Sequence, residues 1–142
     1  MWKTEHTEET TATPEAVWAV VADIDGWPSW NPGYAAAHLD GPLTPGGSGT
    51  IKLPNGMQRS FTLFEATPLA ALVIGGKVPG ATQRFIHRIE PLSSGGSRVT
   101  MAATMEGPLT PIFSRLFGKV IAGYYPTAVR QLVAAAETRL PR

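Results

Sequence analysis

The chain predicts an α+β domain in which an antiparallel sheet wraps a long C-terminal helix, and three observations carry that expectation. Between Tyr34 and Gly107, Gly46-Gly47, Asn55-Gly56, Gly75-Gly76, Pro79-Gly80 and Ser94-Gly95-Gly96 recur as turn signals, the punctuation of a strand meander. After Thr110-Pro111 the apolar period lengthens to three and four residues, which is the change from strand to helix. Ahead of the meander, a short helical pattern and a stretch broken by Gly26 and Pro28 follow a first polar strand.

Each element has a local reason. Residues 2 to 11 are Thr-rich and alternate in polarity, so they predict an exposed strand, with Glu5, Glu8 and Glu9 on a solvated edge. Thr13-Pro14-Glu15 opens a helix: Thr13 can cap free N–H groups, Pro14 wastes no donor and Glu15 suits the positive end of the dipole. Val17, Trp18, Val20 and Val21 supply its buried side. Asp23 to Asn31 contain Trp27 and Trp30, and two indoles this close demand burial on a short helix or tight turn. Asn55-Gly56 is the sharpest hairpin signal, since both residues tolerate the positive φ of a two-residue turn.

Two strands assign their faces by alternation. Phe85, His87 and Ile89 share one side, with Arg84 and Arg88 on the other; Val99, Met101, Ala103 and Met105 oppose Arg98, Thr100, Thr104 and Glu106. In the last segment Ile112, Phe113, Leu116, Phe117, Val120, Ile121 and Tyr124 form one helical stripe, which resumes at Val129, Leu132, Val133, Ala136 and Leu140. Pro126 cannot donate to the ladder, so a kink or break is expected near Gly123 to Pro126.

Composition excludes several function classes. The 142 residues suit one domain spanning 1–142, and no repeat or linker asks for a second. Twelve basic against eleven acidic residues give a net charge of +1 with no basic stripe, so nucleic acid is not an expected partner. Cysteine is absent, which rules out disulfides, thiolate metal sites and a thiol nucleophile and fits a reducing compartment. The N-terminus lacks a signal-peptide pattern and no apolar run approaches the ~20 residues of a membrane span, so a cytoplasmic chain without stable membrane insertion is expected. No phosphate loop, metal-ligand spacing or nucleophile elbow is present, and no cofactor or metal is expected.

Pro14-Glu15-Ala16-Val17-Trp18 followed by Asp23-Ile24-Asp25-Gly26-Trp27-Pro28-Ser29-Trp30-Asn31-Pro32 resembles the N-terminal signature of the START/Bet v1-like (SRPBCC) superfamily, in its polyketide cyclase/dehydrase and lipid-transport branch. The Gly46-Gly47-Ser48-Gly49-Thr50 turn and the Glu65 to Pro68 step agree with it, and the resemblance covers the whole chain. It implies a helix-grip fold: a curved seven-stranded sheet around the C-terminal helix, two short helices between strands 1 and 2, and a cavity for an apolar ligand. Relatives range from ring-closing enzymes to carriers, so function rests on the site.

His87 is the leading polar candidate: on the cavity face its imidazole can orient a ligand carbonyl or act as base, or it can be a core histidine bonded to a backbone carbonyl. Tyr124 is the best-placed phenol, with Tyr34 and Tyr125 behind it; the alternative is ring burial with a backbone bond. Trp27 and Trp30 either border the cavity or anchor the short second helix. Phe113, Phe117 and Ile121 from the helix would meet Phe61, Phe85, Met101, Ala103 and Met105 from the sheet, the methionines being adaptable liners. His6 and His38 have no evident partner and are expected at the surface. The leading expectation is a monomeric or homodimeric protein that binds or carries a small hydrophobic or aromatic ligand. A cofactor-free cyclase or dehydratase using His87 or Tyr124 is the alternative. An interaction module, with a closed core and an exposed apolar helix, is the third.

Overall fold

The computed structural model describes residues 1–138. Seven strands, β1 (Trp2–Thr10), β2 (Ala36–Asp40), β3 (Ser48–Lys52), β4 (Gln58–Thr67), β5 (Ala71–Val78), β6 (Ala81–Pro91) and β7 (Ser97–Glu106), form one antiparallel sheet. Their order is β1-β7-β6-β5-β4-β3-β2, so the meander runs from one edge and β1 closes against β7 at the other. Between β1 and β2 stand the helix α1 (Pro14–Ala22) and a 3-10 stretch, Ile24–Ser29. The chain ends with α2 (Thr110–Phe113), a π-helical stretch Ser114–Gly118 and α3 (Lys119–Thr138). The expected curved sheet around a C-terminal helix is the fold observed.

Local chemistry explains the elements. The Thr13 hydroxyl accepts the Ala16 N–H at 3.2 Å and caps α1, with Pro14 in its first turn. Ala16, Val17, Val20 and Val21 are its buried side, while Trp18 is half-buried. In β6 the alternation holds, with Gln83, His87 and Ile89 buried and Arg88 exposed. β7 is covered more fully: Thr100 and Ala102 are buried along with Val99, Met101, Ala103 and Met105. Glu5 and Glu9 of the β1 edge are solvated and paired, with Lys3 at 3.3 Å and Arg98 at 2.9 Å, whereas Glu8, expected with them, alternates to the other face and is half-buried beside His6.

Three expectations about the backbone change. Gly75-Gly76 is not a turn but the middle of β5. A Cβ on Gly75 would stand 2.0 Å from the Gln83 carbonyl and 2.9 Å from the Phe64 ring, so the glycine admits that ring beside Arg84, whose guanidinium lies 5.1 Å from its centroid. At Asn55-Gly56 only Gly56 has positive φ. The hairpin is a longer loop, closed by Leu53 N–H to Met57 O at 2.8 Å, rather than a two-residue turn.

The third concerns the C-terminal helix. α3 runs unbroken through Pro126, and the irregular turn lies earlier, at Ser114–Gly118. Ala122, whose carbonyl Pro126 leaves without an intrahelical donor, is exposed, so water can satisfy it. Ile121, Tyr125, Ala128, Val129, Leu132 and Ala136 form the buried stripe. Leu140, expected on it, lies outside the described residues.

Candidate functional site

The 3-10 stretch follows α1 immediately and swings Trp27 beneath it, where the indole N–H donates to the Val21 carbonyl at 2.9 Å. Trp27 is fully buried and its ring meets three others, Trp30 and, more closely, Tyr34, stacked at 5.8 Å, and His87, tilted at 4.8 Å. Trp30 stands edge-on to both Trp27 and His87, at 6.2 and 6.4 Å between centroids. The two tryptophans thus anchor the short helix and also surround the histidine.

His87 sits opposite Leu72 in the β5–β6 register. Its Nδ1 lies 3.4 Å from the Leu72 carbonyl. A carbonyl only accepts, so Nδ1 carries the proton and Nε2 presents a lone pair. That Nε2 is buried and unpartnered among the described residues. Burial pushes the imidazole pKa down to about 4, against the weaker opposing pull of the Leu72 carbonyl, so the ring is neutral at neutral pH.

Two further buried polar atoms are stranded on adjacent residues, the first of them Trp30, which stands edge-on to His87. Trp30 Nε1 and Asn31 Nδ2 are buried without a partner. The Asn31 Oδ1 accepts the Gly33 N–H at 2.8 Å, which fixes the amide with its NH₂ free. Gly33 is the point of contact with the helix: a Cβ there would stand 2.9 Å from the Tyr124 hydroxyl and 3.1 Å from Asn31 Oδ1. Burial pushes the Tyr124 phenol up to about 12 and raises Tyr34 and Tyr125 further, and both also feel Tyr124, so the phenols stay protonated. The Tyr125 hydroxyl donates to the Ala102 carbonyl at 3.4 Å.

Most of the expected lining is brought to this interior. Phe61, Met101, Ala103, Met105 and Ile121 are buried, Phe85, Phe113 and Tyr124 half-buried against the same core. Phe117 is the exception: it is 42% exposed and stacks on Phe113 at 6.3 Å instead of facing the sheet. The π turn just there shifts the phase of the stripe, so residues read as one face divide between inside and outside. Asn31 escaped the sequence reading. It stands in Trp-Asn-Pro-Gly, where Asn before Pro reads as turn chemistry, and nothing local announces its burial. His38 is at the surface as expected but partnered, by Asp25 at 2.9 Å and Asp40 at 3.4 Å. His6 likewise reaches Glu8. Two surface clefts, of about 510 and 500 Å³, are lined by other residues than Trp30, Asn31 and His87. Among the described residues no group of His, Asp or Glu is arranged to hold a metal, and no helix is long and apolar enough to cross a membrane.

A seven-stranded sheet curved around a C-terminal helix is the helix-grip architecture of the START/Bet v1-like superfamily. The chain belongs to the polyketide cyclase / dehydrase and lipid transport family, whose model matches residues 1–137. Similar solved structures agree on the fold. A protein of Thermobifida fusca solved in solution superposes with a TM-score of 0.76 at 21% identity, covering 100% of this chain and 98% of that one. The Zhui aromatase/cyclase of a Streptomyces species gives 0.75 at 16%, covering 97% and 94%. A norcoclaurine synthase point mutant of Thalictrum flavum, bound to a transition-state analogue, gives 0.74 at 11%, covering 96% and 94%. No curated protein matches the chain.

Proposed function

We propose that this domain binds a small, uncharged hydrophobic or aromatic molecule between the sheet and α3, oriented by His87, Trp30 and Asn31. One observation carries the reading: of the four buried polar side-chain atoms without a partner among the described residues, three, His87 Nε2, Trp30 Nε1 and Asn31 Nδ2, belong to this cluster, the fourth being Thr110 Oγ1 at the start of α2. Each such group costs about 1–3 kcal/mol when left unpaired, and a folded domain normally leaves few. A ligand that offers a hydroxyl to the histidine lone pair and an acceptor oxygen to the indole and amide N–H groups would recover that loss. The surrounding rings of Trp27 and Tyr34 would stack on an aromatic body. The titratable side chains of the cluster, His87 and the three phenols, are neutral at neutral pH, which disfavours a charged ligand at this depth. Because the rings of Trp27, Tyr34 and His87 are already in contact, entry requires the 3-10 stretch to give way.

Native mass spectrometry of the purified protein, followed by organic extraction, tests this. A stoichiometric apolar passenger is the expected result, lost in a His87→Leu variant that stays folded. A protein that is empty, and that shows no thermal shift with any of a panel of lipids and hydroxylated aromatics, would defeat the reading.

The free lone pair of a neutral imidazole favours a second reading, a cofactor-free cyclase or dehydratase in which His87 Nε2 takes a proton and a protonated phenol such as Tyr124 supplies one. The two readings part on His87→Gln, which leaves a carrier able to bind but stops a catalyst from converting the extracted compound.

A further inference from the structure

The start of the C-terminal helix carries an apolar row that the fold does not use. Ile112, Leu116 and Val120, one turn apart, are 54%, 62% and 68% exposed, with Leu109 and Phe117 beside them. Substitution of these residues by polar ones would cost the core nothing, yet large apolar side chains stand together in water over roughly 12 Å of helix.

What lies beside the row indicates what covers it. Arg115 and Lys119 alternate with Leu116 and Val120 along the same turns, and both line a cleft of about 500 Å³ together with Lys3 and Trp2 of β1. Lys3 is held 3.3 Å from Glu5. Arg115 and Lys119 have no carboxylate partner among the described residues. The Trp2 ring closes the cleft floor against Gly118, where a Cβ would stand 3.0 Å from it. An apolar ridge flanked by unpaired cations is complementary to a surface that is oily at depth and negative at its rim. A second copy of the chain would bring like charges together. Five side chains also fall far short of the ~20–30 residues that each side of a stable protein interface uses. A bilayer needs neither a groove nor a large area: a few residues enter the acyl boundary while the lysine and arginine stems reach up to the phosphates.

We propose that Leu109 to Val120 form a peripheral docking surface for an anionic phospholipid membrane. The helix lies along the bilayer plane with Ile112, Leu116 and Val120 inserted and Arg115, Lys119 and Lys3 at the headgroups. This surface is independent of what the His87 cluster holds.

Cosedimentation of the full chain with phosphatidylcholine vesicles, with and without phosphatidylglycerol, tests it. Binding should require phosphatidylglycerol and weaken as salt is added. Arg115→Gln combined with Lys119→Gln should lower partitioning about thirtyfold. Leu116→Ser combined with Val120→Ser should lower it about tenfold or more, with the thermal midpoint of each variant unchanged because all four side chains are exposed. His87→Gln should dock as well as the parent, which separates this surface from the interior site. Failure to bind either vesicle, equal binding to both, or undiminished binding by the variants would overturn the proposal. So would concentration-dependent self-association that Leu116→Ser abolishes, which would assign the row to a second copy.

Discussion

The two halves of the C-terminal helix are built from similar residues and put to opposite use. From Ile121 to Ala136 one face, Ile121, Tyr125, Ala128, Val129, Leu132 and Ala136, is buried against the sheet and α1; from Leu109 to Val120 Ile112, Leu116 and Val120 are more than half exposed. The difference lies in what faces them. The later half packs between β1, β7 and α1, while the earlier half rests on Trp2 through a glycine and turns the rest of its circumference outward. Apolar periodicity therefore reports that a helix has a preferred face, and the neighbouring elements decide whether that face is a core or an interface.

Truncation breaks the comparison most directly. Leu132→Ala should cost about 2–5 kcal/mol in chemical denaturation, whereas Leu116→Ala should stay within about 0.5 kcal/mol; equal losses would erase the distinction between the halves. Acid sharpens it next. His87 titrates at about 4 in the native protein, below its ordinary 6.5, so between those values the unfolded chain holds more protons. Stability is complete above about pH 6.5 and should fall by roughly 3 kcal/mol on descending to pH 4. His87→Gln should remove that part of the slope, and a variant with the parent's full pH dependence would show that the histidine is not the buried neutral group described. His38 has the opposite sign: its hydrogen bond to Asp25 raises its pKa, so its contribution is present below pH 6.5 and is lost as the pH rises through the raised value. Smaller still, Tyr125→Phe should cost about 1 kcal/mol by orphaning its bond to Ala102, measured by the same denaturation. Thr13→Ala should also cost about 1 kcal/mol through the lost cap, read from its thermal midpoint, and marks the level expected of a local change outside either half.

Much of the fold was legible because its signals are local. The alternation in β6 and β7 placed His87, Met101 and Met105 on the inner face, and Thr13-Pro14 marked the start of α1. Gly75-Gly76 misled because a glycine pair looks the same in a turn and under a packed ring; only the approach of Phe64 and the Gln83 carbonyl, distant in sequence, tells them apart. The site was half legible for a similar reason. His87, Trp30 and Tyr124 stand out by type, whereas the orphaned amide of Asn31 is created by its Gly33 bond and by burial under elements far along the chain. Phe117 was placed inside because regular helical spacing was carried through Ser114–Gly118, where the chain takes a wider turn.

That wider turn also has a consequence for the length of the helix. A π turn accommodates about one residue more than the α turn it replaces, so it can absorb an extra residue in a helix whose flanks stay packed. Because the wider turn absorbs that residue, its loss from Ser114–Gly118 would restore an α turn and leave Ile112 in nearly the same phase relative to Val129, Leu132 and Ala136. The helix can thus differ in length by one residue at this turn without renegotiating the packing that holds the domain together.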